Sequence, residues 1–213
     1  TDDFETPGNW SFSAQTGVAN SMVINSVYTG GTFTVISTTY TVPDVPSQPG
    51  TFTNADQNYL HPVNQLATLN GVTNSSYLAG GTEILEATGT NDISTQGYEN
   101  IQVSFWRTGG SNGLDFIYSV DGGSNWVTAN SMMSSNPSTW EQVTVSLPAS
   151  AENISNLRIG FSFDENNLAD PAPNHYHSID EIEVTGDAVS AQTLTHTIQG
   201  GTTDFCGGDD IVV

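Results

Sequence analysis

The sequence has almost no basic side chains. It contains no lysine and two arginines, Arg107 and Arg158, against 23 aspartates and glutamates, which gives a formal net charge of -21. This balance excludes nucleic acid as a partner, because phosphate binding depends on lysine and arginine releasing counterions. It excludes attachment to an anionic membrane surface for the same reason. A cation such as calcium is the first partner to expect, since an uncompensated acidic excess repels itself.

Long apolar runs and cysteine pairs are missing as well. No stretch of about 18 apolar residues occurs, so the sequence predicts no membrane insertion. The single cysteine, Cys206, cannot form an internal disulfide, so the fold does not depend on one. The opening residues, Thr-Asp-Asp-Phe, carry neither a basic nor an apolar region, and we therefore expect a mature or excised chain without a signal peptide.

What the sequence does contain favours β-strands. Serine, threonine and asparagine are abundant, and they compete with the helical backbone for hydrogen bonds. Short alternating segments recur, for example at 32–36, 101–106 and 142–147, and glycine pairs separate many of them. This pattern predicts an all-β, antiparallel β-sandwich. Prolines at 43, 46 and 49 predict a loop over one end of the sandwich, because proline provides no donor to a strand ladder.

The sequence pattern changes near Gly186. We expect one domain over residues 1–187, followed by residues 188–213 as a linker and the first strands of a second β-domain. A new strand pattern starts at 193–198 in this second part, which is too short to bury a core by itself.

Three pieces of the sequence together resemble a known family. Asp3, Phe4 and Glu5 precede Trp10 near the start, FIYSVDGGSNW lies at 116–126, and IDEIEV lies at 179–184. This order resembles the jelly-roll modules, similar to MAM domains and to calcium-containing carbohydrate-binding modules, of large secreted surface proteins of the Bacteroidota. The resemblance implies a jelly-roll sandwich over 1–187 and an immunoglobulin-like repeat after it. It also implies an extracellular, cell-surface protein exported by the type IX secretion system, such as an adhesin of the gliding-motility type.

The same resemblance implies a calcium site. In the resembling modules the ion lies where the first and last strands meet, which implies Glu5 and Asp180 as ligands, with Asp3 as a further one. Alternation along the last strand would place Asp180 in one row with Ile182 and Val184, facing the core. A carboxylate buried there needs a partner, and a metal is more available than a basic side chain in a chain with two arginines. The alternative is that Asp180 ends a strand in water.

Aromatic rings in loop-like sequence are candidates for glycan binding, because they stack on the apolar faces of sugar rings. Tyr59 with His61, and Tyr176, are the ligand-binding residues that we expect to be exposed. His175 and His177 flank Tyr176 at a spacing that would let both imidazoles hold one metal. Two histidines at the entrance to a strand are the more ordinary explanation of that spacing.

Residues 119–126 match the Asp-box pattern Ser-x-Asp-x-Gly-x-x-Trp. The pattern predicts a hairpin turn in which Asp121 accepts hydrogen bonds from turn amides and Trp126 packs beneath. Asp-boxes recur in sialidases, but a sialidase also needs an arginine cluster, and the two arginines here are far apart in the sequence. Residues 109–113 match Gly-x-Ser-x-Gly, but the sequence around them predicts strands, not the strand-turn-helix that holds a nucleophilic serine. We therefore expect no enzymatic activity.

The combined expectation is a non-catalytic extracellular module of a large secreted or surface-anchored protein, stabilised by calcium and serving adhesion or glycan recognition. Its partners would be a glycan or a surface protein, together with other domains of the same chain. Two alternatives stay open. One is an accessory domain of a secreted hydrolase, such as a peptidase or glycosidase, and the other is a structural spacer that binds another envelope protein.

Overall fold

The computed structural model describes residues 1–13, 20–28, 30–35, 37–42, 44–54, 57–64, 68–69, 72–73, 84–109, 113–131, 138–164 and 177–189. The second β-domain expected at 188–213 lies outside these residues except for its first two positions. His175 and Tyr176 lie outside them too.

Strands account for nearly all the regular structure. The strands of the first half are β1 (Trp10–Phe12), β2 (Asn20–Asn25), β3 (Gly31–Val35), β4 (Thr38–Val42), β5 (Tyr59–Asn64), β6 (Thr68–Leu69) and β7 (Val72–Thr73). Those of the second half are β8 (Ile84–Gly89), β9 (Tyr98–Gly109), β10 (Leu114–Ser119), β11 (Val127–Ser131), β12 (Glu141–Ser146), β13 (Arg158–Asp164) and β14 (His177–Ala188). Two short 3-10 turns, Pro7–Asn9 and Ala149–Ala151, are the only helical elements within the described residues. In that part of the chain no helix is long and apolar enough to cross a membrane.

The longer strands form two antiparallel sheets. Among the described residues, the first sheet has the order β1-β8-β13-β10-β11 and the second has the order β12-β9-β14-β5-β2. The chain passes repeatedly from one sheet to the other, as from β8 to β9 to β10 and from β12 to β13 to β14. This confirms the predicted all-β, antiparallel jelly-roll β-sandwich. The remaining strands pair as two small hairpins, β3-β4 and β6-β7.

The main core lies between the two sheets and is rich in aromatic rings. Phe105 of β9 and Phe116 of β10 have ring centroids 5.5 Å apart, and Phe161 of β13 lies 5.1 Å from Phe105. All three side chains are fully buried. Phe4 and Trp10 close one end of this core, with centroids 5.1 Å apart. Because these rings come from both sheets and from the N-terminal segment, burying them fixes the sandwich and the path of the first residues.

A second, smaller cluster lies on the outer face of the second sheet. Residues 44–54, which we call the covering segment, contribute Phe52 to this cluster, and Phe52 lies 5.4 Å from Trp140 and 5.3 Å from Trp106. The indole Nε1–H of Trp140 donates to the carbonyl oxygen of Pro46 at 2.8 Å. The proline-rich loop expected from the sequence therefore includes a segment that packs against a sheet face.

Candidate cation site

Three segments that are distant in sequence meet beside the second sheet. Asp2 pairs with Ile182 of β14 through two backbone hydrogen bonds of 2.8 Å each, one from each amide N–H. This pairing brings the N-terminal residues alongside the middle of β14. The covering segment reaches the same place, because Thr53 donates hydrogen bonds to the Glu181 carboxylate from both its amide N–H and its hydroxyl.

A β-bulge in β14 determines which way the acidic side chains point. Ile179 and Ile182 both belong to the main core, although regular alternation would turn them to opposite faces. The register with β9 shifts between Asp180 and Glu183, and Glu181 adopts a left-handed conformation with φ of 51°. The expectation that Asp180 shares a core-facing row with Ile182 is therefore wrong, since an extra residue at the bulge breaks the alternation.

Asp180 is buried on the outer face, beneath the covering segment. It lies opposite Trp106 in the sheet register, and 2% of its surface is exposed. The side-chain Nε2–H of Gln48 donates to its Oδ2 at 2.5 Å, and the Glu181 amide N–H donates to its Oδ1 at 2.7 Å. The alternative that Asp180 simply ends a strand in water is wrong, because the covering segment excludes water from it.

The other two predicted ligands, Asp3 and Glu5, face the same loop. The side-chain amide of Asn54 donates to Asp3 Oδ2 at 2.6 Å. Asn58 donates to both carboxylate oxygens of Glu5, from its backbone N–H at 2.8 Å and from its side-chain amide at 3.1 Å. Asp3 also accepts a hydrogen bond from the Glu5 amide N–H at 3.2 Å. The structure thus gathers the three predicted residues with Glu181 around one loop.

The electrostatics of this cluster are unfavourable for an ionised Asp180. The pKa of Asp180 is raised to about 8, mainly by burial and to a smaller extent by the negative charges of Glu181, Asp3 and Glu5. The hydrogen bond from the Glu181 amide N–H acts in the opposite direction, because it favours the charged form. Such a site holds a neutral Asp180 or else gains a positive charge from outside.

Neither arginine supplies that positive charge. Arg107 forms an ion pair with Glu141 at 2.6 Å, and Arg158 forms one with Asp92 at 2.6 Å. The sequence contains no other arginine and no lysine. Within the described part of the chain, the four clustered carboxylates accept hydrogen bonds from amide and hydroxyl groups, and both arginines pair with other carboxylates.

The donor atoms suit a hard cation such as calcium. Calcium takes six to eight oxygen ligands from carboxylates, amide and backbone carbonyls and water. Among the described residues, no three histidine, cysteine, aspartate or glutamate side chains are close enough to hold a metal by themselves. Calcium would therefore need the carbonyl oxygens of the side-chain amides that surround the carboxylates, at Asn54, Asn58 and Gln48. Each of these amides presents either oxygen or nitrogen after a half-turn of its last torsion.

The predicted ligand-binding residues are not exposed where the structure describes them. Tyr59 is 6% exposed and His61 is fully buried, so the expectation of an exposed pair is wrong. Both lie on β5, a strand that pairs with β2 and β14 inside the second sheet. The His61 ring lies against Tyr28 and Tyr59, with centroid distances of 5.5 and 5.1 Å. Tyr176 lies outside the described residues.

A small cleft nevertheless reaches Tyr59 beside the cation site. Its volume is about 210 Å³, and it is lined by Ser26, Tyr28, Val45, Pro46, Ser47, Gln48, Gln57 and Tyr59. Gln48 belongs to both places, because it lines the cleft and donates to Asp180. Its Oε1 accepts a hydrogen bond from the Gln57 amide N–H at 3.1 Å, which joins two positions of the loop that are nine residues apart.

Sequence reasoning missed five residues of the site: Gln48, Thr53, Asn54, Asn58 and Glu181. The first four share a polar, proline-flanked loop, and no short-range pattern indicates that this loop folds back on the last strand. Glu181 has the sequence context of an ordinary strand residue, whereas its left-handed backbone turns its carboxylate toward Thr53. Only the acidic IDE sequence at 179–181 could have suggested its role.

The Asp-box forms the predicted hairpin turn. Asp121 accepts hydrogen bonds from the Asn125 amide N–H at 2.9 Å and from the Ser119 hydroxyl at 2.7 Å. Gly122 and Gly123 have φ of 71° and 89°, values that glycine adopts without strain.

Of the histidine pair at 175 and 177, the structure describes His177. It is buried, and its ring centroid lies 5.1 Å from that of Phe163.

Comparisons with known proteins find similar structures but no family. No protein-family model matches the chain, and a search of curated proteins gives no significant match. A cleaved adhesin domain of Lys-gingipain from Porphyromonas gingivalis is 14% identical, with a TM-score of 0.48, over 88% of this chain and 97% of that domain. The family 11 carbohydrate-binding module from Clostridium thermocellum is 13% identical, with a TM-score of 0.40, over 88% of this chain and 95% of the module.

A third similar structure belongs to a much longer chain. The enzymatically active domain of tailspike protein 4 from bacteriophage CBA120 is 15% identical, with a TM-score of 0.46, over 87% of this chain and 20% of the tailspike chain. At these identities the comparisons concern the arrangement of strands alone.

Proposed function

We propose that this chain is a non-catalytic module of a large secreted or surface-anchored protein, serving adhesion or glycan recognition and stabilised by a bound calcium ion. The observation that carries the calcium part is Asp180, which is 2% exposed and lies among the charges of Glu181, Asp3 and Glu5. Extracellular location, export by the type IX secretion system and kinship with gliding-motility adhesins belong to the same proposal.

The structural role of calcium follows from what the site connects. The carboxylates come from the N-terminal segment and from the last strand, and the covering segment and the residues before β5 surround them. An ion that binds one carboxylate from each end, together with the neighbouring amide carbonyl oxygens, would hold the two ends of the domain to the loop between β4 and β5. It would also offset the burial and the neighbouring negative charges that keep Asp180 from ionising, since the ion favours the carboxylate form.

Adhesion or glycan recognition is supported by the cleft beside this site. Two tyrosines and two glutamines line a cavity of about 210 Å³, a combination of aromatic and amide groups that suits a sugar unit. An ion bound at Asp180 would also fix the wall of the cleft, because the Gln48 side chain both donates to Asp180 and lines the cleft. An adhesin domain and a carbohydrate-binding module are among the similar structures, and both names agree with this class of function.

Calcium titration of the domain tests the first part. Isothermal titration with calcium after chelation should give one site, and extracellular sites of this kind have Kd values of about 0.1 to 1 mM. The free energy of unfolding should rise by about 2.7 kcal/mol when calcium is present at about 100 times its Kd. Magnesium at the same concentration is the control, since it needs a smaller, octahedral site. Equal melting midpoints in calcium and in chelator would contradict the proposal.

A glycan array with the calcium-loaded domain tests the second part. Binding that is lost in the Gln48→Ala variant would support recognition at the cleft. Absence of glycan binding, together with association with another envelope protein, would instead favour the structural spacer. A hydrolase module in the same full-length protein would favour the accessory-domain alternative.

A further inference from the structure

The cleft beside Asp180 has no charged side chain in its walls. The residues that line it are serines, tyrosines, glutamines, one valine and one proline. None of these side chains carries a charge at pH 7. A charged ligand group that entered the cleft would lose part of its hydration without meeting an opposite charge on the walls. The cleft therefore suits a neutral ligand, and it disfavours the carboxylates of acidic sugars and the ammonium groups of amino sugars.

The two tyrosines of the cleft offer little ring surface to a ligand. Tyr28 is 7% exposed and Tyr59 is 6% exposed. Both rings pack against the ring of His61, with centroid distances of 5.5 and 5.1 Å. Because stacking needs an open ring face, a sugar ring has no platform here. Recognition in the cleft must depend on a group that projects from the sugar rather than on the sugar ring itself.

Hydrogen bonds hold the walls of the cleft in place. The carbonyl oxygen of Pro46 accepts the Trp140 indole N–H at 2.8 Å. Gln48 donates from its Nε2–H to Asp180, and its Oε1 accepts the Gln57 backbone N–H. The cleft is thus ordered before a ligand arrives, which reduces the entropic cost of binding. Since both polar ends of the Gln48 side chain have partners, Gln48 acts as a wall of the cleft.

The cleft presents an amide next to an apolar surface. Gln57 lines it as an exposed residue, and the Gln57 side-chain amide carries both N–H donors and a carbonyl acceptor. Val45 and Pro46 are partly buried and provide the apolar surface. The exposed Ser26 and Ser47 add hydroxyl groups. A matching ligand group is a neutral amide that carries a small apolar substituent.

We propose that the cleft binds one N-acetylhexosamine unit of a glycan and recognises its acetamido group. The N–H and C=O of an acetamido group match the C=O and N–H of the Gln57 amide, and its methyl group suits the surface of Val45 and Pro46. The cleft volume of about 210 Å³ is below the roughly 300 Å³ at which pockets for larger ligands begin, so it suits a single sugar unit. This inference rests on the proposed glycan recognition and specifies its ligand class.

Nuclear magnetic resonance titration of the whole chain in calcium tests this inference. The probes are the methyl glycosides of N-acetylglucosamine and N-acetylgalactosamine. The controls are the methyl glycosides of glucose and galactose, which have a hydroxyl instead of the acetamido group, and of the charged sugars glucosamine and glucuronic acid. At least one probe should bind about tenfold more tightly than every control, because a site that pairs with an amide rejects analogues without it. The signal of the Gln57 side-chain amide should shift on binding.

Two variants locate the binding in the cleft. Gln57→Ala removes the side-chain amide but keeps the backbone N–H that Gln48 accepts, and it should weaken binding of the acetamido sugar about tenfold. Val45→Thr keeps the shape of the side chain but replaces a methyl by a hydroxyl, so it should reduce the preference for acetamido sugars over hexoses. Gln102→Ala is the matched control, since Gln102 is an exposed residue of β9 outside the lining of the cleft, and it should bind as the parent chain does.

The outcomes distinguish this inference from the proposed function. Equal binding of hexoses and acetamido sugars, weakened in Gln57→Ala, would overturn the acetamido assignment but leave glycan recognition at the cleft. Equal binding of the acetamido sugar by Gln57→Ala and Gln102→Ala would overturn it too, because the sugar would then bind elsewhere. No binding of any probe would overturn both the inference and glycan recognition at the cleft, and calcium titration would still test the ion. The shift of the Gln57 amide signal in the parent chain locates the site even if a variant fails to fold.

Discussion

The side-chain amide of Gln48 donates to Oδ2 of Asp180 at 2.5 Å across 132 positions of sequence. The same glutamine accepts the Gln57 amide N–H through its Oε1. One side chain therefore joins the covering segment both to the residues before β5 and to the last strand of the sandwich. The protonation and ion binding of Asp180 are consequently expected to determine how firmly this segment is held.

The pH dependence of stability should report the state of Asp180. Its pKa is about 8 in the fold against an ordinary value of 3.8, so between these values the folded chain binds one proton more than the unfolded chain. In chelator, the free energy of unfolding should therefore fall as the pH rises, by up to about 1.4 kcal/mol per pH unit. Chemical denaturation at several pH values measures this slope.

His61 limits the window in which the slope of Asp180 is visible. Burial lowers the pKa of His61 from 6.5 to about 3, so this residue makes stability fall as the pH falls below 6.5. The two slopes oppose each other there, and the effect of Asp180 should appear between about pH 6.5 and 8. Asp180→Asn should flatten the slope in this window, and bound calcium, which favours the ionised carboxylate, should flatten it as well. An unchanged slope in that variant would contradict the assignment.

Glu5 should contribute to calcium affinity. Glu5→Gln keeps an oxygen that can accept the Asn58 amide N–H but removes one carboxylate charge, and charge count sets affinity at such sites. The variant should bind calcium about tenfold more weakly by isothermal titration. Glu99→Gln is the matched control, since it removes the same charge from an exposed position on β9. Equal losses in both variants would indicate only a general effect of net charge.

Local patterns are sufficient for the sandwich and for the Asp-box. Alternation in β9 puts Val103 and Phe105 in the core, and the glycines after Asp121 supply the positive φ that its turn requires. These features depend on neighbours within a few positions, which a sequence displays directly. The juxtaposition of Glu5 with Asp180 follows instead from a resemblance, because no spacing rule connects residues so far apart.

The sequence could not predict contacts made by the covering segment. In the sequence, Gln48 is an ordinary polar loop residue, and only the structure shows that its side-chain amide donates to Asp180. The bulge at Glu181 likewise goes with the packing of both Ile179 and Ile182 in the core. The prediction that His61 is exposed is wrong for the same reason. Polar residues around Pro62 are typical of a loop, whereas tertiary packing buries this segment as strand β5.

Gly160 should be intolerant of a side chain. It lies in β13 between β8 and β10, where a Cβ would be 2.8 Å from the Ala87 carbonyl oxygen and 3.2 Å from Ile117 Cγ1. Backbone cannot move aside cheaply in a central strand, so Gly160→Ala should destabilise the fold by about 1 to 3 kcal/mol in urea denaturation. Gly8→Ala, with no atom within 4 Å of the added Cβ, should be nearly neutral. Similar losses in both variants would contradict a steric cause.

The Asp-box should stabilise the fold only while Asp121 is ionised. Hydrogen bonds from the Asn125 side chain and then from Ser119 lower the pKa of Asp121 to about 2 from an ordinary value of 3.8. Because the folded chain holds the charged form more readily, this stabilisation is present above about pH 4 and is lost as the pH falls toward 2. Asp121→Asn should therefore lower the melting midpoint at pH 7, and its difference from the parent chain should shrink as the pH falls toward 2. Glu99→Gln, an exposed change of the same charge, should leave the midpoint nearly unchanged at both pH values. A deficit of Asp121→Asn that is as large at pH 2 as at pH 7 would mean that the carboxylate charge is not what holds the turn.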